Sequence, residues 1–203
     1  MKVAHLLGPL TLVLLLALAI PASASLISTT GLTVDTPGPG TVITSNFIIN
    51  NGLPSQIIFD EQQGVTLAAP LVTDTGTIAA GTTVDSAFVA LNSSGEFVVD
   101  TNATFDGPVL GIIYLDGSAN YAASDFLGLP SLTYAESCGN CGFEPGDTAS
   151  FVGATALFHT DYSEPGDFAR VITLAAPAGV PEPASLVLMG SGLAALASRL
   201  RKR

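Results

Sequence analysis

Between residues 41 and 175, short runs rich in Val, Ile, Thr and Phe alternate with clusters of Gly, Pro, Asn and Asp. That pattern leaves few folds open. β-Branched and aromatic side chains suit the pleated, half-buried surface of a strand, whereas Gly, Pro, Asn and Asp set turns. The strand-like runs are Thr41–Asn50, Gln56–Asp60, Thr82–Leu91, Glu96–Asp100, Pro108–Leu115, Ala149–Thr160 and Phe168–Ala175. Their spacing predicts an all-β fold, a single antiparallel β-sandwich with jelly-roll or Greek-key connections. Val109-Leu110-Gly111-Ile112-Ile113-Tyr114 is too continuously apolar for an exposed strand and is assigned to the core. Ser118–Leu127 is expected to form a short helix. Gly31–Gly40, with Pro37-Gly38-Pro39-Gly40, reads as a loop leading into the domain, and Ala176–Val180 as a linker leading out.

Both ends differ from this body. Lys2 precedes an apolar run from Leu6 to Ile20, and Pro21-Ala22-Ser23-Ala24 supplies the small residues, Ala22 and Ala24, that signal peptidase requires. Residues 1–24 are therefore expected to be a signal peptide, cleaved after Ala24 following Sec export; a retained anchor would need a longer apolar run. About 150 residues then form one domain, 25–178, enough to bury roughly two-thirds of the unfolded surface.

At the other end, Val180-Pro181-Glu182-Pro183 precedes an apolar stretch from Ala184 to Ala197 and the basic terminus Arg199-Leu200-Arg201-Lys202-Arg203. The residues before each proline are biased away from helix, so the motif stays extended and readable by an enzyme. Ala184–Leu200 has the composition of a short membrane helix. At about 1.5 Å per residue it is marginal for a hydrocarbon core about 30 Å thick. Arg199, Arg201, Lys202 and Arg203 would snorkel and hold that end on the cytoplasmic side, leaving the domain outside. Gly190, Ala194 and Ser198 form a small-xxx-small series of the kind common in membrane helices.

These residues resemble the PEP-CTERM sorting signal of Gram-negative bacteria, over 179–203. The resemblance implies that Pro181, Glu182 and Pro183 are the motif recognised by exosortase, as residues of a substrate. It also implies tethering at the inner membrane facing the periplasm before processing, then a place at the cell surface or outside, with association to exopolysaccharide or biofilm. Ala80–Ser86, Pro108–Ile112 and Gly166–Thr173 are similar to segments of other exported PEP-CTERM proteins.

Charge excludes several function classes. Arg170 is the only basic residue of the body, against sixteen carboxylates, a formal charge of −15. Nucleic acid is thus an unsuitable partner, and an anionic polysaccharide would be repelled unless divalent cations bridged the two. The body lacks lysine, which rules out Schiff-base, Ser-Lys and isopeptide chemistry, and lacks tryptophan, which leaves sugar stacking to Tyr114, Tyr121, Tyr134, Tyr162 and the phenylalanines.

Few residues offer chemistry. Cys138-Gly139-Asn140-Cys141 reads first as a small-loop disulfide in an oxidising compartment; a redox pair or a zinc site, the latter with His159 and carboxylates, are the alternatives. His159 is the only histidine after signal removal, lies in a strand-like run and has no G-x-S-x-G elbow to serve, so packing or exposure is its expected role. Arg170, in an apolar strand amid excess negative charge, is expected to form a structural ion pair at a sandwich edge. Asp100–Gly107 begins like a calcium loop but carries Phe105 and Gly111 where that loop needs glycine and glutamate. Asn92-Ser93-Ser94 and Asn102-Ala103-Thr104 fit the N-glycan acceptor pattern. No cofactor, metal or catalytic residue is assigned. The sequence reading is a non-catalytic, exosortase-sorted surface or matrix protein; a carbohydrate-binding module, or a glycoside hydrolase using two carboxylates, are the alternatives.

Overall fold

The computed structural model describes residues 26–44, 46–92, 97–115, 119–134, 142–162 and 166–176. They are all-β, with two short helical segments. One antiparallel sheet runs in the order β1 (Leu26–Thr30), β9 (Phe97–Phe105), β13 (Thr155–Tyr162), β12 (Thr148–Val152). The larger sheet runs β10 (Val109–Ile113), β14 (Asp167–Leu174), β8 (Thr83–Leu91), β4 (Gln56–Asp60), β2 (Thr33–Val34), with β5 (Val65–Thr66) also pairing with β8. Two small pairs complete it: β3 (Val42–Ile43) parallel to β11 (Thr133–Tyr134), and the hairpin of β6 (Leu71–Thr73) and β7 (Gly76–Ile78). The helical segments are α1 (Phe47–Asn50) and α2 (Asn120–Ser124), the second continued by a 3-10 turn at Asp125–Leu127.

Strand composition fits the layers. β8 and β14 are buried along almost their whole length, as strands covered on both faces are: eight of the nine β8 residues and seven of the eight β14 residues are buried, polar ones included. Alternate residues face opposite ways. Ala169 and Val171 join Ile58, Val89, Ala103, Phe105, Ala156 and Phe158 in one cluster drawn from both large sheets. Phe168 joins Phe59, Phe88 and Ala90 under Phe47, Ile48 and Leu132, and Ile172 packs with Leu127. Full burial of each Val, Leu, Ile or Phe among them contributes about 1.5–3 kcal/mol. In β9 the buried residues alternate, with Thr101, Ala103 and Phe105 inside while Val98 and Asp100 are exposed. The outer face of the smaller sheet is therefore open to solvent, whereas that of the larger sheet is covered by α1, β11 and α2.

Several expectations need correction. Thr41–Asn50 holds only the two-residue β3 and then α1, because Phe47 and Ile48 are both buried in the same cluster, which a helical turn allows and a strand does not. Ala149–Thr160 is a hairpin, β12 and β13, turning at Gly153, whose φ of +60° favours glycine. The run expected at Glu96–Asp100 enters β9 at Phe97, Glu96 lying outside the described residues, and β9 continues to Phe105, absorbing most of the calcium-like stretch. The expected loop at Gly31–Gly40 contains β2, and β1, β5, β6, β7 and β11 fall outside every expected run. The helix expected over Ser118–Leu127 is present at Asn120–Leu127.

Candidate functional site

The most tightly built polar cluster surrounds Arg170, on the covered face of the larger sheet. Arg170 Nε donates to Glu61 Oε2 at 2.8 Å and Nη2 donates to Glu61 Oε1 at 3.0 Å. Both side chains are 0 % exposed. Nη1 donates to Ser124 Oγ at 2.5 Å, Asp125 Oδ1 at 3.2 Å and the Tyr121 carbonyl at 3.4 Å. Ser86 Oγ donates to Glu61 Oε2 at 2.6 Å. The guanidinium carbon lies 5.0 Å from the Tyr134 ring centroid and 5.6 Å from that of Phe88. The sequence reading put an Arg170 ion pair at a sandwich edge. The pair instead lies inside, because β14 runs between β10 and β8 and the cover closes over it.

Local structure brings these groups together. Glu61 follows β4 directly, and its N–H donates to the Ser86 carbonyl of β8 at 2.7 Å. Gln62 Nε2 donates to the carbonyls of Phe126, at 2.6 Å, and Gly128, at 2.8 Å, fixing the 3-10 turn that carries Asp125. Tyr121 O–H donates to the Phe168 carbonyl, tying α2 to β14. Gly128 sits so close to the Tyr134 ring that a Cβ there would overlap it.

The electrostatics follow from burial. Removing a guanidinium from water lowers its affinity for the proton, but the Glu61 carboxylate and Asp125 reverse that, so Arg170 is held above its ordinary value. Burial pushes the Tyr134 phenol up, and its hydrogen bond to Glu61 and that residue's charge add to the shift. Taking two charges out of water costs several kcal/mol per ion, and only a fully hydrogen-bonded pair offsets it. This cluster meets that condition and has no chemistry to spare. Ser86 is bonded to Glu61, and Ser124 accepts from Arg170 while donating to the Tyr121 carbonyl at 2.8 Å.

Other titratable groups lie elsewhere. His159 and Asp100 face solvent on the smaller sheet, Nδ1 to Oδ1 2.7 Å, with side chains 52 % and 87 % exposed. Glu144, Asp147 and Asp167 place carboxylate oxygens within 4.8 Å of one another, the described residues best arranged to hold a cation. Asp147 already accepts the N–H groups of Glu144, at 3.1 Å, and Asp161, at 2.8 Å. Asn92 is buried, its side chain donating to Asn46 Oδ1 at 3.3 Å, which removes it from reach as a glycan acceptor. Sequence reasoning missed Glu61, Ser124, Asp125 and Tyr134 as partners of Arg170, and Ser86 as the partner of Glu61; the lone body arginine was the only signal pointing to a buried carboxylate.

Residues 179–202 match the family model for the PEP-CTERM protein-sorting motif. The chain carries a PEP-CTERM sorting signal. That signal is consistent with an exosortase substrate, and it implies export with a membrane-anchored sorting segment. No curated protein and no solved structure matches the chain. The sorting residues Pro181, Glu182 and Pro183, the basic residues Arg199, Arg201, Lys202 and Arg203, the cleavage residues Ala22 and Ala24, and Cys138 and Cys141 lie outside the described residues. Among the described residues no helix is long and apolar enough to cross a membrane.

Proposed function

We propose that this chain is a non-catalytic surface or extracellular-matrix protein that an exosortase-like enzyme processes at its tail. Before processing it is tethered at the inner membrane facing the periplasm; afterwards it resides at the cell surface or outside, in association with exopolysaccharide or biofilm matrix. The sorting motif at residues 179–202 carries this reading. Its folded part is read as a single β-sandwich, a description supported by the buried cluster that both large sheets share.

The described side chains favour a non-catalytic role. The Arg170–Glu61 pair at the centre of the polar cluster is buried from solvent, and the serines beside it are committed to Glu61, Arg170 and a carbonyl. A retaining glycosidase holds its carboxyl groups about 5–5.5 Å apart and an inverting one about 6.5–9.5 Å. Glu144, Asp147 and Asp167 bring one oxygen each within 4.8 Å of the others, but Asp147 is occupied by the backbone N–H groups of Glu144 and Asp161. Tyr114 packs on Phe143 and Tyr134 on Phe88, so neither offers a shelf for sugar stacking.

The test replaces Pro181, Glu182 and Pro183 with alanine in the native host and follows tail processing and membrane association. The variant is expected to stay unprocessed in the membrane fraction. Loss of membrane association with processing unchanged would contradict the proposal.

A further inference from the structure

The two ends of the folded part are built differently. β1 lies at the edge of its sheet, its register with β9 shifts between Leu26 and Ser28, and none of its residues is buried. β14, the strand from which the chain continues toward the sorting motif, is held on both sides. It pairs without a break with β8 from Asp167↔Leu91 to Leu174↔Val84, and with β10 from Arg170↔Ile113 to Thr173↔Val109, where the register shifts between Val109 and Gly111. An edge strand can peel away from one neighbour, whereas a strand between two neighbours must break hydrogen bonds on both flanks.

Arg170 ties the middle of β14 across the sheet, to Glu61 beyond β4 and to Ser124 and Asp125 in the cover. Sliding β14 by one residue would turn Arg170 to the opposite face of the sheet. Sliding it by two would carry the guanidinium about 6–7 Å from Glu61. We propose that the Arg170–Glu61 pair is a mechanical clamp that locks β14 against sliding when load arrives through the tail. The proposal rests on the tethered reading above, since only a held tail transmits load to β14. The clamp itself is tested without the sorting enzyme, so the two can fail separately.

The experiment is single-molecule force spectroscopy on the full chain in detergent. One geometry attaches handles after Arg203 and at the exposed Ser55, beside the end of β4 that pairs with Leu91, so that β14 is loaded along its axis. The other attaches them at Ser28 and Ser150, exposed on the two edge strands of the smaller sheet. In Glu61→Leu/Arg170→Met the pair is replaced by apolar volume, which leaves the denaturant midpoint close to the native one. Its unfolding rate at fixed tension is expected to rise about tenfold in the tail pull and to stay unchanged in the edge-to-edge pull. Equal acceleration in both geometries, or none in the tail pull, overturns the clamp. Should that variant fail to fold, Arg170→Lys, which keeps the charge and loses the fork, is held to the same two outcomes. In the native protein, a tail pull that unfolds the domain no more slowly than the edge-to-edge pull overturns the clamp by itself.

Discussion

Arg170 and Glu61 meet through two parallel hydrogen bonds of 2.8 and 3.0 Å, although 109 positions separate them along the chain and neither side chain reaches solvent. Breaking such a pair from one side leaves an uncompensated buried charge, at a cost of about 3–5 kcal/mol. Arg170→Met and Glu61→Leu are each expected to destabilise the fold by that amount, and the double variant to be close to neutral. Urea denaturation, with the slope unchanged, measures all three. Additive losses in the double variant would show that the two residues act independently.

Asp60 titrates against the fold. Burial raises its carboxyl above the ordinary 3.8; the Leu26 N–H opposes that, while Asp85 and Asp106 add to it. The native state then binds this proton more tightly than the unfolded chain does. Its contribution is full below the unfolded value and is lost as pH rises through the folded one. Asp60→Asn is expected to be more stable than the native protein at neutral pH, with the advantage shrinking on acidification. Urea midpoints measured between about pH 3 and about pH 7 check the sign.

Tyr134 gives the alkaline counterpart. Its phenol is raised, chiefly by burial, so the folded state resists ionisation and stability falls as pH climbs past the unfolded value of about 10. Tyr134→Phe is expected to flatten that loss. A thermal-melt series from neutral to alkaline pH measures it, and an unchanged slope in the variant would count against the shift.

Gly128 has no room for a side chain, since a Cβ would run into the Tyr134 ring that flanks Arg170. Gly128→Ala is expected to cost about 1–3 kcal/mol through this overlap. Trimming the ring in Gly128→Ala/Tyr134→Ala should remove the coupling between the two sites, which a double-mutant cycle reads.

Asp74 holds the β6–β7 hairpin onto the end of β10. Its Oδ2 accepts the N–H groups of Tyr114, at 2.7 Å, and Leu115, at 2.9 Å, and its Oδ1 accepts from Asn120 Nδ2 at 2.7 Å. Asp74→Ala leaves these donors without that acceptor. Hydrogen exchange is expected to accelerate at the Tyr114 and Leu115 amides while those of β8 and β14 keep their protection.

The legible parts of the fold were those where one local pattern sufficed. Gln56–Asp60, Thr82–Leu91 and Phe168–Ala175 could be read as strands because their β-branched and aromatic content holds over the whole run. Phe47 and Ile48 misled, since neighbouring apolar residues fit either a strand or one helical turn, and tertiary packing decides between them. The break at Gly153 was visible in the sequence, yet the apolar residues on both sides hid the hairpin. Arg170 announced a carboxylate partner through its isolation. Glu61 could not be singled out from sixteen acids, because the pairing depends on β4, β8 and β14 lying side by side.

Intact-mass and C-terminal peptide analysis of the protein from its native envelope, with and without the processing enzyme, tests the sorting account most directly. With the enzyme, the mature chain should begin at Ser25 and lack the apolar, basic tail; without it, the tail should remain. A full-length chain that keeps both ends, and is the same in either background, would contradict the account.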